Sequence, residues 1–152
     1  MTPGDLIDER AIQHVYMRYC DIVDAKSFDR LDEVFTRDTR GDYTQALGPG
    51  VVTEGLDQII GAMKANLGAH SHCGATHHNV TNFRIDVDGD TATAKVHFIA
   101  AHAGTGTKAG SSYTMWGEYD DTLVRTPDGW RVKDRRYTLA VSEGDPDIVR
   151  GG

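Results

Sequence analysis

Cysteine is nearly absent from this chain. Cys20 and Cys73 stand alone, with no CxxC spacing around either. That excludes the disulfide framework of a small secreted domain and suits a reducing compartment with two buried thiols. Long apolar runs are missing too, so no segment is expected to cross a membrane, and no signal-peptide pattern opens the chain. Basic charge is in short supply: 16 Lys and Arg against 23 Asp and Glu leave a net charge of -7. The cations are scattered except near the C-terminus, which argues against a nucleic-acid partner, because counterion release needs a basic stripe. Four prolines, no repeat and no low-complexity stretch leave no candidate linker. The 152 residues are therefore expected to form one cytoplasmic domain over 1–152, long enough to bury a core.

What is present has a clear order. Leu6, Ile12, Val15, Tyr16, Tyr19, Ile22 and Val23 recur at three- and four-residue spacings, which predicts a helix over 5–24 with one apolar stripe. A buried phenol needs a hydrogen-bond partner or a polar cavity to project into, and spacing leaves both open for Tyr16 and Tyr19. Asp24 ends this helix, where the negative end of the dipole disfavours a carboxylate unless a donor compensates. Ser27 can cap a second short helix that buries Phe28, Leu31, Val34 and Phe35. Residues 39–46 read as a first strand carrying Asp42 and Tyr43, and Gly48-Pro49-Gly50 as a turn. A third helix is expected over 55–67, with Leu56, Ile59, Ile60, Met63 and Leu67 inward and Gly68 placed to end it in the left-handed conformation. The next loop gathers His70, His72, Cys73, His77 and His78. Its spacing matches no structural-zinc pattern, so no metal is expected, and His70 and His72 are read as exposed.

From Thr76 onward the pattern is β. Asp88-Gly89 and Asp128-Gly129 are hairpin turns that predict long antiparallel strands near 76–87, 91–103, 111–126 and 130–142. Three helices followed by such a meander give an α+β fold with the helices on one face of a curved, mostly antiparallel sheet. Alternation sends Ala92, Ala94, Val96, Phe98, Ala100 and His102 inward and His97 outward. It also places Tyr113, Met115, Gly117, Tyr119 and Leu123 on one face, with Trp116 opposite as a hint of a homo-oligomer contact. Arg131, Lys133, Arg135 and Arg136 read as a solvated basic face, with contact to an anionic substrate as the alternative. On the first long strand, His77 shares parity with Phe83, Ile85 and Val87, which turns His77 inward. A single β-bulge before Phe83 would turn His78 inward instead.

Two pieces carry a family resemblance: YCDIVDAKSFDRLDEVF followed by GDY, and THHNVTN followed by the strand ending at His102 and the DGW hairpin. In this order and spacing they resemble the scytalone dehydratase and SnoaL-like branch of the nuclear-transport-factor-2-like superfamily. The resemblance implies a cone-shaped α+β barrel with an internal cavity capped by helices. Asp24 stands where the dehydratase has its pocket aspartate, Tyr43 matches a tyrosine that orients a water and the substrate carbonyl, and His78 matches the catalytic histidine. His102 matches a second histidine near it. Tyr19 resembles a tyrosine of bile-acid 7α-dehydratase. The dehydratase tyrosine before the pocket aspartate is Val23 here, which points away from scytalone toward another carbonyl compound.

The family thus implies a lyase that uses no metal or organic cofactor. His78 would remove a proton α to a carbonyl, Asp24 would fix its tautomer, and tyrosine hydroxyls would stabilise the enolate. His77, Tyr113, Val23 and Phe98 are expected around the small-molecule substrate. An isomerase or cyclase starts from the same enolate, and the scaffold also hosts non-catalytic binders and small oxygenase subunits.

Overall fold

A computed structural model describes residues 1–151. Its elements run α1 (Pro3–Asp24), a 3-10 turn (Phe28–Glu33), β1 (Phe35–Asp42), α2 (Thr44–Leu47), β2 (Val52–Glu54), α3 (Leu56–Leu67), β3 (Cys73–Asp88), β4 (Thr91–Gly104), β5 (Ser112–Thr126) and β6 (Gly129–Gly144). Short 3-10 turns at Gly106–Lys108 and Pro146–Val149 complete the chain.

α1 begins two residues before the expected Asp5, and a local cap sets its start. Thr2 and Asp5 form a reciprocal capping box, each satisfying the other's main-chain N–H, and Pro3 occupies a first-turn position that needs no donor. The helix buries Ile12, Val15, Tyr16, Tyr19, Ile22 and Val23, whereas Leu6 is exposed. Lys26 ends it, at φ 55 in the left-handed region, with its amine bonded to the Leu67 carbonyl at the end of α3. The left-handed residue expected at Gly68 is not there: Gly68 is extended at φ -81, ψ -175. The carbonyls at the end of α3 are satisfied instead by Lys26 and by the Ser71 hydroxyl, which donates to the Gly68 carbonyl at 2.7 Å. Ser27 makes no capping bond to the turn that follows it.

The six strands form one mixed sheet in the order β2-β1-β6-β5-β4-β3. Only β1 and β6 run parallel, and the other neighbours are antiparallel. The first strand lies earlier than expected, because Phe35 to Asp42 alternate against β6 while Tyr43 already caps the short α2. Extra residues in β3 and β6 shift the register and bend the long strands. The helices cover the face carrying Ala94, Val96, Phe98, Tyr119, Leu123 and Val132, which joins the α1 stripe in a single buried core. Among the described residues no helix is long and apolar enough to cross a membrane.

One bulge decides the histidine question. Thr81 pairs with His97 and Arg84 with Lys95, so Asn82 and Phe83 together face Val96, and Asn82 takes φ 55 to accommodate the extra residue. Parity therefore flips across it. Thr76, His78 and Val80 face the helices before the bulge, and Phe83, Ile85 and Val87 after it, while His77 is exposed. The apolar run after the bulge cannot be extrapolated back across Asn82, which is why simple alternation selects the wrong histidine.

Candidate active site

The inner face of the sheet and α3 enclose a cavity of about 690 Å³ of empty space, its open mouth included. Its walls are largely apolar: Ala46, Leu47, Val51, Ile59, Ala62, Met63, Leu67, Ala100, Met115 and Val149. Polar groups enter from a few positions, chiefly Tyr19, Tyr43, His78, His102, Tyr119 and Tyr137 from the helix end and strands, and Asn66 from α3.

Asp24 and His78 meet at one end. Asp24 Oδ1 lies 2.7 Å from His78 Nδ1, and Oδ2 accepts the His78 main-chain N–H at 3.0 Å. The Thr76 hydroxyl donates to Oδ1 at 2.8 Å. Burial pushes the Asp24 carboxyl up, but the bonds from the His78 ring and main chain, the His78 charge and Thr76 outweigh it and hold the group below its ordinary value. An ionised carboxylate on Nδ1 requires a proton there, so the neutral ring presents Nε2 as a lone pair. The arrangement resolves the difficulty of an acid at a helix C-terminus: three donors from β3 compensate it.

His102 lies beside this pair, with ring centroids 5.7 Å apart. Its Nδ1 donates to the Tyr113 carbonyl at 2.9 Å, and only 3% of the residue is exposed. Burial lowers its pKa to about 4, more than the Tyr113 bond can raise it. The ring is therefore neutral near pH 7 and, like His78, presents Nε2 as an acceptor. Tyr19 packs edge-on against His78 with centroids 6.2 Å apart. Tyr43 sits outside the strand expected for it, yet its ring still reaches the cavity, because Gly41 has no Cβ to occupy the space where the ring folds back. Its hydroxyl is buried and has no partner among the described residues.

Four expected residues lie elsewhere. His77 points outward, where its Nδ1 meets the Asn79 amide at 3.1 Å, because it alternates with His78. Val23, Phe98 and Tyr113 are buried but do not line the cavity. Phe98 stacks on Tyr119 at 4.6 Å and forms the layer behind it, and Tyr113 contributes its carbonyl to His102. His70 is exposed as expected, while His72 is half-buried. No cluster of three or more His, Cys, Asp or Glu side chains placed to hold a metal occurs among the described residues. Burial pushes the Cys20 thiol up to about 12, which makes it a poor nucleophile.

The structure also corrects the reading of the last strand. Arg135 is not on a solvated face. Its guanidinium and the Asp121 carboxylate have no exposed side-chain surface and pair at 2.9 Å, and Tyr16 donates to the same carboxylate at 2.7 Å. The cation lies 3.9 Å from the Tyr119 ring and 4.7 Å from the Tyr19 ring, and its Nη1 has no partner among the described residues. Burial works against its charge, and Asp121 offsets this, holding Arg135 protonated. It stands one layer behind the cavity wall, opposing the effect of burial on Tyr19 and Tyr43, whose hydroxyls are raised by desolvation. On β5, Asp121 alternates in step with the buried Tyr119 and Leu123, although it is not among the residues expected at the site. On β6, Val132 pairs with Leu123 but Asp134 with Thr122, an extra residue that conceals the inward turn of Arg135.

Comparison with known proteins places the chain in a family. An uncharacterized protein of Mycobacterium tuberculosis, Rv2910c, is 33% identical over 145 residues, covering 91% of this chain and 89% of the relative. The crystal structure of Kfla4162 from Kribbella flavida is 27% identical with a TM-score of 0.85, covering 95% of this chain and 98% of that one. A scytalone dehydratase-like protein of Novosphingobium aromaticivorans is 23% identical with a TM-score of 0.81, covering 94% and 91%. More distant chains share the fold. Hexachlorocyclohexane dehydrochlorinase LinA-type3 of Novosphingobium barchaimii is 15% identical with a TM-score of 0.75, covering 93% and 92%. A nuclear transport factor 2-like superfamily protein of Salmonella enterica is 16% identical with a TM-score of 0.72, covering 88% and 93%. The fold is the nuclear-transport-factor-2-like α+β cone. The SnoaL-like domain model matches residues 4–136, and the chain belongs to the SnoaL-like domain family.

Proposed function

We propose that this protein is a cofactor-independent lyase, a dehydratase acting on a small hydrophobic carbonyl compound of polyketide, steroid or aromatic type. The observation that carries the reading is the 2.7 Å contact between Asp24 Oδ1 and His78 Nδ1 at the wall of an apolar cavity. A binder has no need of a carboxylate fixing an imidazole tautomer. A base that must keep Nε2 free and then carry a proton does.

In the proposed reaction His78 Nε2 takes the proton α to the substrate carbonyl. The electron pair moves onto the carbonyl oxygen, and Asp24 stabilises the imidazolium. Tyr19 or Tyr43 donates to the developing enolate oxygen, and Arg135 behind them strengthens that donation. The enolate then expels the β-hydroxyl, which takes the proton from the imidazolium and leaves as water. His102, neutral, accepts a hydrogen bond from the substrate. An isomerase or cyclase would share the first step, and the dehydratase and dehydrochlorinase relatives by fold favour elimination. We further propose that the protein works as a homo-oligomer, a dimer or trimer, through the outer sheet face, where Ile99 and Val141 are exposed and Trp116 half-buried.

Proton abstraction can be tested without the natural substrate. Deuterium exchange α to the carbonyl of a panel of bicyclic ketones, followed by NMR, should be catalysed by the protein. His78→Ala should slow it by about 10²–10⁴-fold with an unchanged circular dichroism spectrum. Exchange as fast in the variant would overturn the reading.

A further inference from the structure

The inner stripe of α3 breaks its own pattern. Ile59, Ala62, Met63, Asn66 and Leu67 follow one another at helical spacing, and all five line the cavity. Four are apolar, as a buried helix stripe should be. Asn66 is half-buried, and among the described residues its carboxamide has no hydrogen-bond partner. Its amide is not among the polar atoms buried without a partner, so it keeps access to water at the cavity wall, where a ligand oxygen can take that water's place. Its position along the helix is also informative. Leu67, the next residue, is tied by the Lys26 amine to the end of α1, two residues after Asp24. Asn66 therefore stands at the Asp24–His78 end of the cavity, on the helix wall rather than the sheet wall.

We propose that Asn66 is a specificity-determining residue that hydrogen-bonds a hydroxyl oxygen of the substrate, so that the cavity selects hydroxylated neutral ring ketones over the same ketones without the hydroxyl. The proposal rests on the cavity being the substrate site. It follows from the balance of donors and acceptors. His78 and His102 both offer Nε2 lone pairs, and the cations nearest the cavity are already engaged, Lys26 on the Leu67 carbonyl and Arg135 with Asp121 behind tyrosine rings, so among the described residues an anionic ligand finds no free counter-charge. The Asn66 amide adds a donor and an acceptor on the wall that otherwise has neither.

The test compares two probes, 2-tetralone and 6-hydroxy-2-tetralone, by equilibrium binding to the protein and to Asn66→Leu, with folding checked by thermal melting. Leucine restores the apolar stripe, so the variant should fold at least as well. The native protein should prefer the hydroxylated ketone by about 5–10-fold, the range of one net hydrogen bond, and Asn66→Leu should lose that preference while keeping affinity for 2-tetralone. An equal preference in both proteins, or no preference in the native one, overturns the Asn66 assignment and leaves the His78 exchange result standing. Failure of both ketones to bind the native protein overturns the assignment together with the cavity reading beneath it. A variant that fails to melt cooperatively is replaced by Asn66→Asp, which must likewise change the preference between the two probes if the assignment holds.

Discussion

His102 and Asp24 illustrate how one site holds two ionisable groups in opposite charge states. Asp24 is kept ionised by three donors, and His102 is kept neutral by burial. The sign of the pH dependence follows. The folded pKa of His102 is about 4 against 6.5 for the free group. Between those values the unfolded chain binds a proton that the folded chain refuses, so stability is full above about pH 6.5 and falls as the pH drops toward 4. The loss should reach about 3 kcal/mol. Asp24 is also depressed, so its contribution is complete above its unfolded value and is lost only at lower pH still. Urea titrations at a series of pH values should show the first decline, and His102→Asn, whose amide can still donate to the Tyr113 carbonyl, should flatten it. An unchanged slope in that variant would refute the assignment.

At the level of the element, β3 shows how one residue can reassign a whole face. The bulge at Asn82 is what lets a single strand bury His78 near its start and Phe83, Ile85 and Val87 near its end. Asparagine tolerates φ 55 where a β-branched residue does not. Asn82→Val should cost about 1–2 kcal/mol, and Asn82→Gly should be close to neutral, as measured by chemical denaturation. Deleting Asn82 is the sharper experiment. The regular strand cannot bury both sets, so the core should keep the three apolar residues and turn His78 out. Ketone exchange should then fall as far as in His78→Ala while the melt remains cooperative. Retained exchange would show that the bulge does not orient His78.

Across the whole molecule, the Asp121–Arg135 pair links α1, β5 and β6 beneath the cavity. Tyr16 supplies the helix, Asp121 and Arg135 the strands, and the rings of Tyr19, Phe35 and Tyr119 enclose the cation. Two buried charges add little net stability as a pair, but either alone is severely penalised. Arg135→Met should therefore destabilise the protein by about 3–5 kcal/mol, and adding Asp121→Leu should recover most of that loss. Because the cation also faces the cavity tyrosines, the double variant should remain slow in ketone exchange although it folds. Recovery of both stability and exchange would limit the pair to a structural role.

Much of this protein is written locally. The stripe from Ile12 to Val23 and the two Asp-Gly hairpins depend on neighbours within a few residues, so spacing was enough to read them, and alternation along β4 placed His102 inward correctly. The motifs around Asp24, Tyr43 and His78 pointed to a shared site. What only the tertiary structure decided hangs on register. The extra residue at Asn82 chose His78 over His77, and the extra residue in β6 buried Arg135, which the sequence presents as one more cation in a basic strand. Each bulge reverses every later side chain without leaving a compositional trace. The other late decisions share that cause. Whether Val23, Phe98 and Tyr113 line the cavity or back its wall, and whether Asn66 faces water or substrate, depends on how the helices seat on the bent sheet. That is set by packing between residues far apart in the chain, and no local pattern records it.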